Sequence, residues 1–165
     1  MAALRSGARA PDFTLPTIAG GRFSLREELA RGPAVLVFFK VSCPVCQYAL
    51  PFLERIFRSY AGKHASMVGI SQNGRQDTEA FLQKFGVTFP VLLDDPSNYL
   101  VSNAYGLTTV PTTLWIGPEG AIEISSVGWM KKEIEQINAA AAASSAESEK
   151  PVFQPAEAIP EFRAG

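Results

Sequence analysis

An α/β fold, with a central mixed sheet and helices on both of its faces, is predicted by three observations. Strand-like apolar runs alternate with helix-like segments along a chain of 165 residues. The run Ala34-Val35-Leu36-Val37-Phe38-Phe39 is apolar without a break, as in a strand covered on both sides. Near the end, 112–116 and 121–125 flank Gly117-Pro118-Glu119-Gly120, whose preset φ and tolerance for positive φ make an antiparallel hairpin.

Taken in order, residues up to Pro16 read as a loop or short strands, followed by a turn at Gly20-Gly21. Ser24-Leu25-Arg26-Glu27 is a capping box that starts a helix, and Gly32-Pro33 stops it. Strand 34–40 follows as the central one. The next helix opens at the cysteines and carries Pro51, which must remove one backbone hydrogen bond and kink the axis. Beyond it, Phe52, Leu53, Ile56 and Phe57 give one apolar face at helical spacing. Strand 66–71 comes next, then a helix over 77–85 with Gly86 suited to a left-handed C-cap. A third strand is expected over 89–93, a short helix over 98–105 closed by Gly106, the hairpin, and a last helix over 131–143.

With 47% hydrophobic residues and a net charge of −1, the 165-residue chain suffices for one domain with a full core, expected over residues 1–143. No internal repeat interrupts it. Lys and Arg are scattered, with no basic run interleaved with aromatics, so nucleic acid is not an expected partner. The longest apolar run is far too short to span a bilayer, so no membrane anchor is expected. Residues 1–11 lack the continuous apolar stretch of a secretory signal, which predicts a cytoplasmic address.

The tail, 144–165, changes character, with Pro151, Pro155 and Pro160 spacing out Val152, Phe153, Ile159 and Phe162. An end segment is ordered only when docked. The expectation is an extended tail lying on its own domain or on a neighbouring subunit, with Phe153 and Phe162 as anchors. A homodimer through this tail is one possible consequence.

Chemistry concentrates at Cys43-Pro44-Val45-Cys46, directly after the central strand. Positions i and i+3 share a helical face, so two sulfurs there can close a small disulfide ring. The first stands at the helix N-terminus, where unpaired N–H groups and the positive dipole end favour a thiolate. Cys43 is therefore the expected nucleophile and the more shielded Cys46 the resolving thiol. Pro44 suits the first helical position, which needs no N–H donor. A closed zinc site would need two further ligands, and the chain offers no other cysteine and only His64, so no metal and no cofactor are expected. An inert core pair fits poorly with a turn carrying Ser42 and Pro44. In a cytoplasmic compartment two cysteines read as a working or sensing pair rather than a staple.

Pro11-Asp12-Phe13-Thr14-Leu15, Leu36-Val37-Phe38-Phe39, the Cys-x-x-Cys, Pro51 and Val110-Pro111-Thr112 before the hairpin together resemble the redoxin group of the thioredoxin-like superfamily. That group takes in AhpC/TSA proteins, including the peroxiredoxins, and TlpA/ResA-type thiol–disulfide oxidoreductases. The match runs over about residues 7–140. The resemblance implies a thioredoxin-like fold and a cis bond between Val110 and Pro111, packed against the Cys43 sulfur. It implies a substrate-binding surface of Pro44, Val45, Val110, Pro111 and Thr112, on which a substrate pairs like an added strand. It also implies a disulfide substrate, an upstream thiol reductant, and a part in cell redox homeostasis or antioxidant defence.

This chain departs from the group's patterns in four places. Pro44-Val45 stands where thioredoxins carry Gly-Pro, Val37 where they bury an acid, and Ala49 where the TlpA/ResA type has a glutamate. The usual proton acceptor for Cys46 is thus missing. The peroxiredoxin pattern Pro-x-x-x-Thr-x-x-Cys fails as well, since Leu36 and Lys40 replace its proline and threonine. Lys40 reads either as a charge capping a strand end or as an ammonium favouring the Cys43 thiolate. His64 is expected in solvent, and Trp115 and Trp129 in packing roles. A thiol–disulfide oxidoreductase is the leading expectation, with a peroxiredoxin-like peroxidase and a redox-sensing protein-binding module as alternatives.

Overall fold

A computed structural model describes residues 3–60 and 63–165. Its five-stranded sheet has the order β5-β4-β3-β6-β7, built from β3 (Ala34–Phe39), β4 (Ser66–Ser71), β5 (Val91–Leu93), β6 (Thr112–Ile116) and β7 (Ile122–Val127). β3 lies in the middle, parallel to β4 and antiparallel to β6, and every one of its residues is buried. Its continuous apolar run is explained by the two cores it separates. On one face Val35, Val37 and Phe39 meet α2 (Pro44–Tyr60), Phe81 of α3 (Arg75–Phe85) and Ile134 and Ile137 of α5 (Lys131–Ser144). On the other, Ala34, Leu36 and Phe38 meet Leu25 of α1 (Leu25–Leu29), Val101 of α4 (Leu100–Ala104), Tyr105 and Phe23.

The N-terminal segment forms a small hairpin, β1 (Thr14–Pro16) with β2 (Arg22–Ser24). Ser24 caps α1 by accepting from the Glu27 N–H. Gly86 ends α3 in the left-handed conformation, φ 66°, as its missing Cβ allows. Two elements are shorter than the sequence suggests. β5 starts at Val91 because Pro90 cannot donate to a ladder. α4 starts at Leu100 because Tyr99 stands at φ 47°, outside the helical region. α2 runs as one helix with Pro51 inside it. No helix among the described residues is long and apolar enough to cross a membrane.

The tail lies on its own domain, and its anchors differ in part from the expected ones. Val152 is 95% buried, and the Phe153 ring packs 5.3 Å from that of Phe52 and 5.8 Å from that of Trp129. Phe162 is no anchor: it stays 60% exposed, in the two-residue strand β9 (Phe162–Arg163) that pairs with β8 (Trp129–Met130). Its backbone, not its ring, is what docks. The firm attachment is upstream, where Lys150 N–H donates to the Tyr60 hydroxyl at 2.7 Å and Asn138 donates to the Lys150 carbonyl at 2.8 Å. Arg55 completes it, donating to the Val152 carbonyl and forking onto both Glu157 oxygens at 2.7 and 2.9 Å.

Candidate active site

β3 ends at Phe39, and four residues later Cys43 immediately precedes α2, whose first turn closes with Gln47 N–H on the Cys43 carbonyl at 3.0 Å. The chain can make so abrupt a strand-to-helix turn because Pro44 begins the helix without needing a donor. The turn is held from both sides. Val41 N–H donates to the Asn73 side-chain oxygen at 2.9 Å, and Gln47 Nε2 donates to the Val41 carbonyl at 2.9 Å. Neither tether was foreseeable by pattern, since Asn73 lies just beyond the neighbouring strand.

The two sulfurs have different surroundings. Cys43 is half-buried and Cys46 fully buried, and both are free thiols. The Cys46 backbone N–H donates to Cys43 Sγ at 3.2 Å, so an otherwise unpaired first-turn donor is aimed at the sulfur. Cys43 Sγ in turn donates to the Val110 carbonyl at 3.4 Å. Burial, reinforced by the hydrogen bond with Cys43, pushes the Cys46 thiol well up from its ordinary range. Val37 and Ala49, at the positions where relatives are expected to hold an acid, are packed in the core.

The loop opposite comes from the segment before β6. Its Val110–Pro111 peptide bond is cis. Val110 is half-buried and Pro111 buried. Thr112 is buried and turned inward, its hydroxyl donating to the Thr109 carbonyl at 2.8 Å, so it shapes the loop. Pro44 is exposed and Val45 half-buried. The Lys40 ammonium sits over the Tyr99 ring, 5.5 Å from its centroid, in a polar cavity of about 190 Å³ shared with Gln72, Asn103 and Thr109. The partner it engages is that ring. His64 is exposed, and Trp115 and Trp129 are buried, donating to Glu123 and to the Pro160 carbonyl.

Comparison with known proteins agrees with this geometry. The model of the AhpC/TSA family matches residues 6–125. Thioredoxin-like protein YneN of Bacillus subtilis is 33% identical over 139 residues, covering 81% of this chain and 78% of its own length. Thiol-disulfide oxidoreductase ResA of Halalkalibacterium halodurans is 29% identical over 131 residues, covering 79% and 73%. Among solved structures, StoA from Bacillus subtilis superposes with a TM-score of 0.64 at 25% identity, covering 78% of this chain and 94% of that one.

Proposed function

The chain belongs to the AhpC/TSA family, and on that footing we propose that it is a thiol–disulfide oxidoreductase working through Cys43 and Cys46. The single observation that carries the reading is the Cys46 N–H aimed at a half-buried Cys43 sulfur at the start of a long helix. In the reducing direction the Cys43 thiolate attacks one sulfur of a substrate disulfide. A Cys43–substrate disulfide forms and one substrate thiolate leaves. Cys46 then gives up its proton and attacks the Cys43 sulfur, closing the Cys43–Cys46 disulfide and releasing the second substrate thiolate. Two electrons have passed to the substrate, and an upstream dithiol returns them.

The substrate surface is Pro44, Val45 and the Val110–Pro111 loop, with Thr112 acting through its backbone. What supports this is the 3.4 Å approach of the Val110 carbonyl to the nucleophile. Val37 and Ala49 put apolar side chains at the positions where an acid would take the Cys46 proton, so water or the leaving substrate thiolate takes it. We take the cytoplasm as the compartment, because a single Cys-x-x-Cys pair reads there as a working dithiol rather than a staple. Alkylation in intact cells by permeant and impermeant reagents tests that address.

Insulin reduction driven by dithiothreitol, run beside hydrogen peroxide consumption, tests the activity. Catalysed insulin reduction without peroxide turnover is the expected result. Peroxide turnover that survives Cys46→Ser, with no insulin reduction in the unaltered protein, would replace the reading with a peroxidase.

A further inference from the structure

The tail has two parts that differ in how they are held. Residues 150–157 are fastened by side chains: buried Val152, the Asn138 and Tyr60 contacts, and the Arg55 fork. Residues 161–165 are all exposed and held almost entirely through backbone. Lys131 N–H donates to the Glu161 carbonyl at 3.0 Å, and β9 pairs Phe162 with Met130 and Arg163 with Trp129. Two side chains contribute: Arg163, whose guanidinium lies 4.1 Å from the Tyr48 ring centroid, and the exposed Glu161, whose carboxylate stands 3.6 Å from the Lys131 ammonium.

This loosely held end lies on the active-site loop. A side chain at Gly165 would collide with the Val110 carbonyl oxygen and stand 2.7 Å from Thr109 Cγ2, so only glycine fits so close. One at Gly128 would come within 2.6 Å of the Arg163 carbonyl oxygen and 3.3 Å of the Gly165 nitrogen. Gly128 N–H is itself bonded to the Pro111 carbonyl at 2.8 Å. The Val110 carbonyl under Gly165 is the one 3.4 Å from Cys43 Sγ. The tail end therefore covers the backbone of Gly128 and of the Val110–Pro111 loop, whose Val110 carbonyl is in contact with the nucleophile.

We propose that residues 161–165 are a reversible plug on the docking strip for polypeptide disulfides, formed by the β8 edge, Gly128, the Val110–Pro111 loop and the Tyr48 ring. The proposal rests on the oxidoreductase reading and extends it to substrate class. A backbone-held segment with exposed side chains is replaceable by another extended chain, which remakes the same ladder bonds. The Arg163 contact adds a preference: a basic residue in the incoming chain takes its place over Tyr48. A small disulfide reaches Cys43 without using the strip and does not have to displace the plug. The tether at 150–157 keeps the released end close, so it rebinds once the product leaves.

The test compares Arg163→Ala and Arg163→Pro with the unaltered protein. The first deletes the cation over Tyr48, and the second also removes an N–H from β9. Hydrogen exchange at 161–165 reports detachment directly. Activity is read with insulin and, separately, with 5,5′-dithiobis(2-nitrobenzoate) as a small disulfide. Expected are faster exchange at the tail end, a roughly two- to fivefold rise in kcat/KM for insulin with Arg163→Ala, and an unchanged small-disulfide rate. The proline variant is expected to give a larger rise. A freed tail with an unchanged or lower insulin rate would overturn the plug, as would an equal rise for both substrates. The underlying reading fails separately, if Cys43→Ser retains either activity.

Discussion

Cys46 meets Cys43 through its backbone before it ever meets it through sulfur: the Cys46 amide donates to Cys43 Sγ at 3.2 Å. That bond stabilises the negative charge of an attacking Cys43, while burial keeps the Cys46 sulfur protonated until it is needed. One first-turn contact thus sets an order of events. Cys43 opens the substrate and Cys46 resolves it.

Separation of roles is the first consequence to check. Cys43→Ser is expected to abolish disulfide exchange, since no other exposed thiol exists in the chain. Cys46→Ser should still attack and then stall, accumulating mixed disulfides visible as a mass increase equal to one substrate half. Stable adducts on the Cys43→Ser protein instead would reverse the assignment.

The resolving step should carry a pH dependence of its own. A thiol pushed up by burial has a thiolate fraction that rises about tenfold per pH unit below its midpoint, and the free-thiol midpoint is itself about 8.5. Decay of the mixed disulfide, followed by acid quench, is expected to accelerate with that slope from pH 7 to 8.5. A plateau below pH 8 would show that Cys46 ionises readily after all. The same proton affects stability. In the unfolded chain Cys46 ionises near 8.5 while the folded protein still holds its proton, so stability is intact below that pH and falls as pH rises above it. Reduced protein should lose up to about 1.4 kcal/mol per pH unit there relative to Cys46→Ala, measured by urea denaturation at pH 8 and 10.

Asn73 is expected to matter for turnover more than for folding. It holds Val41, two residues before the nucleophile, through a bond that spans 32 residues of sequence. Asn73→Ala leaves a half-buried N–H unpaired and frees the turn, removing about 1 kcal/mol of positioning, or roughly fivefold in kcat/KM. Unchanged kinetics with a lowered Tm would make the tether purely architectural.

How far the sequence alone reaches depends on how local the signal is. β3 is legible because both of its faces are covered, so six consecutive apolar residues can mean little else. The cysteine roles are legible because a helix start acts within one turn. Val41–Asn73 is not, because it joins two loops brought together only by the pairing of β3 with β4. Phe162 misleads for a different reason. Hydropathy predicts burial, but a two-residue strand docks by backbone and leaves its ring where the pleat points it. Gly165 carries no pattern signal whatever, and its closeness to Val110 emerges only from the path of the whole tail.

Asp94 illustrates an acid the fold consumes structurally. Fully buried at the end of β5, it accepts from Val101 N–H at 3.2 Å and from both the N–H and hydroxyl of Ser102, at 2.8 and 2.7 Å. Asp94→Ala leaves those donors unpaired at the start of α4. A loss of roughly 2–4 kcal/mol is expected, lowering Tm by about 5–15 °C. Differential scanning calorimetry with Asp94→Asn, which keeps one acceptor and should lose less, separates the hydrogen bonds from the packing.

Glu157 offers the sharpest electrostatic check on the tail, because its two oxygens face both arms of the Arg55 guanidinium. That fork, with a further bond from Gln154 N–H, pulls the carboxyl down to about 2. For a depressed carboxylate the contribution to docking is complete above the ordinary value of about 4.3, and it is lost only as pH falls through the depressed one. The tail should therefore stay attached at pH 4. Carbon-detected NMR of the Glu157 carboxyl is expected to titrate near the depressed value in the unaltered protein and near 4.3 in Arg55→Gln. Arg55→Gln should also loosen the Val152 carbonyl that the same guanidinium holds at 3.1 Å, raising hydrogen exchange across 150–157. Identical titration curves in the two proteins would mean that the fork does not persist in solution and that Val152, Phe153 and the Lys150 bonds to Tyr60 and Asn138 hold this part of the tail without it.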